Sequence, residues 1–240
     1  MISVLYVAAG DAILSFARSS SGELSHVATV ALPDAASCFC LSPNLRFLYC
    51  ATTAGFVTMS VCQDSGALTQ LSVVKSPSTD DRPSFCTTDR TGRFLLGAYY
   101  TASACSVHSI GLDDGLVGEE KQYIGQLQNA HYIGVDPSNR FVYVPCVAAI
   151  NSNGGNAIHS FDFCPATGRL TQHAGSPLIP PPIGPTPIPR FGAQMATMPN
   201  GGLRAPGPFS HFGEPSRPEQ GPRHFGEKIG CQLQLLDLVW

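Results

Sequence analysis

The sequence predicts an all-β protein of the β-propeller class, and two observations carry that prediction. Three segments align without a gap at a spacing of 47 residues: SCFCLSPNLRFLYC at 37–50, SFCTTDRTGRFLLG at 84–97 and HYIGVDPSNRFVYV at 131–144. A fixed period in the 40s is typical of β-propellers and of helical arrays. Each segment holds two apolar runs separated by a Pro, Asn or Gly turn, which favours strand hairpins over helices.

Two more apolar runs complete the repeat. GFVTMSV at 55–61 and ALTQLSVV at 67–74 follow the first aligned segment and are joined by the turn residues Asp64, Ser65 and Gly66. Four strands per repeat make one propeller blade. We therefore expect a partial propeller over residues 1–176, with blades at about 3–31, 36–75, 84–124 and 131–173.

The N-terminal segment begins at the second strand of the repeat. SVLYVAA at 3–9 matches the second strand of the repeat, and AILSFAR and then LSHVATVA complete a blade of three strands. Such a blade needs an innermost strand from elsewhere in the chain. In a closed propeller the C-terminal end usually supplies that strand.

The repeat stops near residue 176. Most of the 20 prolines lie between Pro177 and Pro222, and such a composition favours extended or disordered chain. We expect a Pro/Gly-rich linker or disordered region over 177–220. The last segment, 221–240, is interpreted as the remnant of a further blade.

Composition narrows the functional classes. The 240 residues carry a net charge of -3 with no basic run, which argues against nucleic-acid binding and against attraction to a membrane surface. No apolar stretch is long enough to span a membrane, and we expect a cytoplasmic protein. Most of the nine cysteines fall inside predicted strands as small apolar residues. No CxxC pair is present, so we predict no structural zinc site.

Three motifs carry a resemblance to a known family. DPSNRFVYV at 136–144, SFDFCPATGRLTQ at 160–172 and GPRHF at 221–225 resemble the seven-bladed lactonase family, which includes propeller-type 6-phosphogluconolactonases and fungal carboxymuconate cyclases. The resemblance covers residues 1 to about 176 and the separate GPRHF motif. It implies a propeller of the seven-bladed lactonase type, of which about four blades are present, as in a truncated copy.

The resemblance also implies a site. Family members place a histidine at the head of a blade's inner strand, and His131 occupies that position, where the preceding repeats have Ser37 and Ser84. The GPRH motif supplies Arg223 and His224. We expect the other histidines to be structural: His26, His108, His159, His173 and His211.

The implied function is hydrolysis of a sugar-acid lactone without a cofactor, with 6-phosphogluconolactone of the pentose phosphate pathway as the expected substrate. His131 or His224 would be the base, and Arg223 would stabilise the anionic substrate and transition state. A cyclase of the carboxymuconate type is a variant of this enzyme hypothesis. The other alternative is an inactive propeller that serves as an interaction scaffold, with a protein partner at its unpaired blade edges. The enzyme hypotheses require the side chains of His131 and Arg223 to lie close together at one mouth of the central channel.

Overall fold

A computed structural model describes residues 3–76, 82–147 and 156–179, together with three short strands at 196–197, 203–204 and 232–234. All regular secondary structure in these residues is β-strand, arranged as four sheets of four strands and one sheet of two. The prediction of an all-β propeller fold is confirmed. We call the four larger sheets blades 1 to 4. No described segment forms a helix with the length and hydropathy needed to cross a membrane.

Blades 1 and 2 follow one another along the chain. Blade 1 contains β1 (Ser3–Ala8), β2 (Ala12–Arg18) and β3 (Leu24–Ala31). Blade 2 contains β4 (Ala36–Leu41), β5 (Phe47–Thr52), β6 (Gly55–Val61) and β7 (Leu68–Val74). All neighbours in these sheets pair antiparallel, as strands joined by short hairpins do.

Blades 3 and 4 repeat the four-strand pattern. Blade 3 contains β8 (Phe85–Thr88), β9 (Phe94–Tyr99), β10 (Ala104–Ile110) and β11 (Val117–Ile124). Blade 4 contains β12 (Gly134–Val135), β13 (Phe141–Cys146), β14 (Ala157–Cys164) and β15 (Arg169–Gln172). In each complete blade the first strand is innermost and the fourth is outermost.

Three short strands lie beyond blade 4. β16 (Ala196–Thr197) pairs with β17 (Leu203–Arg204), and β18 (Gln232–Gln234) pairs antiparallel with β1. The order of blade 1 is therefore β18-β1-β2-β3. A segment near the C-terminus thus occupies the innermost position of blade 1, for which the N-terminal sequence offers no strand.

The inner strand of blade 4 is shorter than its sequence suggests. The aligned segment predicts a strand from His131, but β12 begins at Gly134, and Ala130 forms only an isolated bridge with Cys146. Tyr132 packs its ring against Phe85 of blade 3, with centroids 4.3 Å apart. Because this contact draws the chain toward blade 3, residues 131–133 do not pair continuously with β13.

The turn between the first and second strands has the same chemistry in blades 2, 3 and 4. A side-chain oxygen of Ser42, Asp89 or Asp136 accepts a hydrogen bond from the N–H of the phenylalanine that begins the second strand. The residue three positions after that acceptor has a left-handed backbone: Leu45 (φ 59°), Gly92 (φ 71°) and Asn139 (φ 58°). Gly and Asn tolerate this conformation, whereas Leu rarely adopts it.

The apolar core lies between blades. One cluster fills the space between blades 1 and 2 and includes Tyr6, Leu48 and Met59. A second fills the space between blades 2 and 3, and a third the space between blades 3 and 4. The second strands β5 and β9 are buried along their whole length because both of their faces are covered by neighbouring blades.

Candidate functional site

Three residues at one position of the 47-residue register lie at or just before the start of the inner strands, and we call this end of the propeller the mouth: Ser37, Ser84 and His131. At Ser37 and Ser84 the side chain joins two blades. The Ser84 hydroxyl lies 3.0 Å from the Ala98 carbonyl oxygen of its own blade and 2.9 Å from the Ala130 carbonyl oxygen of blade 4. Ser37 bonds to the carbonyl oxygens of Ala51 and Pro83 in the same way. These serines therefore hold neighbouring inner strands together.

His131 keeps the backbone role of this position but changes its side chain. Its N–H donates to the Pro145 carbonyl oxygen at 3.1 Å, which ties it to β13. Its half-buried imidazole meets the ring of Tyr100 edge-on, with centroids 5.8 Å apart and planes at 87°. Among the described residues, neither ring nitrogen has a hydrogen-bond partner. The imidazole is thus held in place by packing while both nitrogens stay available to a ligand or to water.

The segment before His131 is held in an unusual backbone conformation. Gln126 and Asn129 have left-handed φ angles of 65° and 53°, and Ser103, which contacts them, has φ 53°. The Leu127 N–H donates to the Ser103 carbonyl oxygen at 2.8 Å, and the Asn129 N–H donates to the Ser103 hydroxyl oxygen at 3.2 Å. Strained backbone of this kind clusters at ligand-binding sites. Here it directly precedes His131.

Arg82, two residues before the mouth residue Ser84, is a cation that sequence reasoning missed. It is exposed, and no described residue pairs with its guanidinium. The hydrogen bond from Ser84 to Ala130 links the strand that follows Arg82 to the residue before His131. The 47-residue register could have found it, because Arg82 stands just ahead of a position already singled out.

Arg223 and His224, the two other predicted site residues, lie outside the described residues. Their convergence with His131 stays a prediction.

Two other histidines differ from simple surface residues. His108 is buried in β10, edge-on to Phe56 of blade 2 at 5.1 Å, and its Nε2 has no hydrogen-bond partner in the described part of the chain. Burial lowers the pKa of His108 and of the half-buried His159. His108 lies in the third strand of blade 3, away from the mouth. It therefore takes no part in the candidate site.

Three cysteine sulfurs lie close together between the inner strands of blades 2 and 3. Cys86 Sγ lies 3.5 Å from Cys38 Sγ and 4.0 Å from Cys40 Sγ. Burial raises the pKa of the Cys50 thiol beside them, and the eight described cysteines are all free. In the described part of the chain, no group of three or more His, Cys, Asp or Glu side chains is arranged to hold a metal ion.

Comparison with known proteins identifies the relatives of this fold. The family model of the seven-bladed β-propeller lactonases matches residues 4–185. The chain is 33% identical over 176 residues to a 6-phosphogluconolactonase of Pectobacterium carotovorum subsp. carotovorum, a match that covers 72% of this chain and 50% of the relative. It is 32% identical over 179 residues to one of Yersinia enterocolitica, with 73% and 50% covered. The chain spans about half the length of these relatives.

Solved structures give the same fold. A putative 6-phosphogluconolactonase from Bacteroides uniformis superimposes with a TM-score of 0.62 at 15% identity, over 70% of this chain and 49% of that one. The periplasmic gluconolactonase PpgL of Pseudomonas aeruginosa superimposes with a TM-score of 0.57 at 16% identity, over 70% and 49%. At these identities the likeness concerns the fold alone.

Proposed function

This chain belongs to the seven-bladed β-propeller lactonase family, and on that premise we propose that it acts in the hydrolysis of a sugar-acid lactone, with 6-phosphogluconolactone as the substrate. In the relatives that bear this activity in their names, the match covers about half of the chain. The observation that carries the proposal is His131, whose imidazole stands at the mouth with both nitrogens free of the described residues.

His131 has the chemistry that lactone opening needs. As general base it takes a proton from a water molecule while the water oxygen attacks the lactone carbonyl carbon. When the tetrahedral intermediate collapses, the ring C–O bond breaks and the protonated imidazole returns the proton to the leaving alkoxide oxygen. The product carboxylic acid then ionises, so each turnover releases one proton to solution.

Cations stabilise the charges that develop in this reaction. We assign the oxyanion to Arg223, as the family motif implies, and the substrate phosphate to Arg82. A guanidinium presents a planar pair of donors that matches phosphate or carboxylate oxygens. Arg82 suits the more distant phosphate because its side chain is exposed and unpaired among the described residues.

The residue at the position of His131 favours the enzyme hypothesis over the alternatives. At Ser37 and Ser84 the register position is filled by a hydroxyl that bonds two blades, which is all that a scaffold requires. The His131 imidazole makes no such bond to a described residue, so it contributes less to the scaffold and is left for chemistry. A cyclase of the carboxymuconate type has no comparable observation in its favour.

Acid release in a pH-stat tests the proposal. The folded chain should hydrolyse 6-phosphogluconolactone above the spontaneous rate. Arg82→Ala should raise KM about tenfold or more for this substrate and change KM little for gluconolactone, which lacks the phosphate. A folded sample that releases acid only at the spontaneous rate would contradict the proposed function. Equal effects of Arg82→Ala on both substrates would remove Arg82 from phosphate binding.

A further inference from the structure

Consecutive blades are joined by one recurring contact. An apolar side chain near the start of the second strand of one blade packs on the glycine turn between the third and fourth strands of the next blade. The three pairs are Val4 with Gly66, Phe47 with Gly115 and Phe94 with Gly168. These glycines have φ angles of 74°, 68° and 77°. A methyl group added at Gly66 or Gly168 would come within 2.5 Å of its partner, and one at Gly115 would collide with the Phe47 ring.

The residue two positions after each turn glycine completes the contact. Leu68, Val117 and Leu170 are only 5%, 3% and 3% exposed, because each packs into the core between its own blade and the preceding one. A tyrosine adds a hydrogen bond at two of the three interfaces. Tyr6 and Tyr49 donate to the carbonyl oxygens of Gly66 and Gly115 at 2.8 and 3.0 Å.

Blade 1 presents the same turn with no described blade against it. Gly22 has φ 86°, and no described atom lies within 4 Å of where its Cβ would be. Leu24, two positions after Gly22, is 48% exposed, although its three counterparts are buried. We call Gly22 to Leu24 the blade-1 turn. It has the glycine and the apolar residue found at the other three interfaces, but no described residue packs on the glycine.

Blade 4 presents the other half of the contact. Phe141 and Tyr143 are the counterparts of Phe47 and Tyr49 by the 47-residue register, and we call them the blade-4 face. Phe47 and Tyr49 are 6% and 1% exposed, whereas Phe141 and Tyr143 are only half-buried. The Tyr143 hydroxyl has no hydrogen-bond partner among the described residues, where Tyr49 has a glycine carbonyl.

We propose that the blade-1 turn of one copy of this chain docks on the blade-4 face of a second copy. We assign the partner by complementarity. The blade-4 face is of the kind that packs on a glycine turn at the other interfaces, and the blade-1 turn of the same chain is such a turn. Charge agrees with this assignment. Arg140 lies over the Phe141 ring, 5.5 Å from its centroid, and Glu23 follows Gly22. In blade 2 Arg46 likewise lies over the Phe47 ring, 5.6 Å from its centroid.

The contact is head-to-tail, since it joins two different surfaces of identical chains. Each copy carries one blade-1 turn and one blade-4 face. Two copies can therefore engage twice, and both exposed apolar surfaces become covered. This docking is independent of the lactonase proposal, because neither surface includes a mouth residue.

Sedimentation of the full chain tests the docking. The wild type should self-associate when its concentration is raised to about 100 µM. Gly22→Asn should abolish association without unfolding the monomer, because Asn tolerates a left-handed φ and no described atom crowds this position. Leu24→Ser should weaken association about tenfold or more through lost apolar burial. The matched control is Leu71→Ser, since Leu71 is 44% exposed but lies on the outer strand β7, away from both surfaces.

Mixing two variants distinguishes head-to-tail docking from other self-association. Gly22→Asn damages only the blade-1 turn, and Tyr143→Glu damages only the blade-4 face. Each should be monomeric alone, and an equimolar mixture should form a one-to-one complex through the surface that each retains. A wild type that stays monomeric at about 100 µM, a Gly22→Asn chain that associates like wild type, or a mixture that forms no complex would each overturn the proposal.

Discussion

The Tyr49 hydroxyl donates a 3.0 Å hydrogen bond to the carbonyl oxygen of Gly115, although 66 residues separate the two in sequence. Tyr49 is 1% exposed, so this bond lies inside the core between blades 2 and 3. Burial raises the pKa of Tyr49 well above its ordinary value, which keeps the hydroxyl protonated as a donor. A polar contact within the core thereby fixes how two blades fit together.

Removing this hydroxyl should cost stability. Tyr49→Phe leaves the buried Gly115 carbonyl without its donor, and we expect the free energy of unfolding to fall by about 1–3 kcal/mol. Tyr143→Phe is the matched control, because no described residue bonds to that hydroxyl, and it should cost less than about 0.5 kcal/mol. Urea unfolding of both variants in the monomeric Gly22→Asn background measures the difference. Equal losses would show that the Tyr49 bond contributes nothing beyond ring packing.

A second prediction concerns the buried carboxylate of Asp89. It is 0% exposed and accepts five hydrogen bonds, from the N–H groups of Thr91, Arg93 and Phe94, the Thr91 hydroxyl and the Asn139 side-chain amide. An amide has one acceptor oxygen instead of two and turns its NH₂ toward these donors. We expect Asp89→Asn to lower the free energy of unfolding by about 3 kcal/mol.

Asp136 provides the matched control for that experiment. It occupies the same turn position in blade 4 and accepts from Ser138, Arg140 and Phe141, but it is only half-buried. Water can replace part of what Asp136→Asn removes, so its loss should be smaller, about 1 kcal/mol. Denaturant unfolding that ranks Asp136→Asn as the more damaging change would contradict this account of the turn.

The stability of the fold should fall as the pH drops below about 6.5. Burial lowers the pKa of His108 below its ordinary value of 6.5, and the bond to the Gly118 carbonyl opposes this only in part. Between the two pKa values the unfolded chain binds a proton that the folded chain does not. The contribution of His108 is therefore fully present above pH 6.5 and is lost as the pH falls toward the lowered value. Thermal melts from pH 7.5 to pH 5 should show this decline, and His108→Gln should flatten it. A slope unchanged by the substitution would assign the pH dependence to other groups.

The described thiols should divide into fast and slow classes toward a thiol reagent. Cys62 and Cys164 are exposed, and hydrogen bonds from Ser65 and from Thr167 lower the pKa of their thiols. Cys38, Cys50 and Cys105 are buried, and burial raises their thiol pKa. Because the thiolate is the nucleophile, Cys62 and Cys164 should react first. Replacing both by Ser should remove two equivalents from the fast phase, and a fast phase of unchanged size would contradict this division.

The 47-residue period predicted much of the fold because each blade is a local unit. Strand hairpins and their turns depend on residues close in sequence, so the runs around Phe47, Phe94 and Phe141 could be recognised directly. Contacts between blades could not be recognised in this way. That Ser84 bonds to Ala130, or that Phe94 packs on Gly168, depends on how one blade faces the next.

The candidate site likewise has features that the sequence predicts and features that depend on contacts between blades. His131 could be found because it replaces a serine at a repeated position. That its imidazole has no described hydrogen-bond partner and meets the Tyr100 ring could be known only from the structure, since Tyr100 belongs to the neighbouring blade. The inner strand of blade 4 was predicted too long because the Tyr132 contact with Phe85 is a contact between blades. For Arg223 and His224, the sequence register is the whole basis of the prediction.

The central claim is that His131 is catalytic, whereas Ser37 and Ser84 at the same position of the repeat are structural. Initial rates of 6-phosphogluconolactone hydrolysis by the wild type and by His131→Ala test it most directly. We expect the wild type to exceed the spontaneous rate and His131→Ala to lose about 10² to 10⁴ in kcat with its melting temperature little changed. Equal rates for two folded proteins would contradict the claim and leave His131 as a residue of the propeller wall.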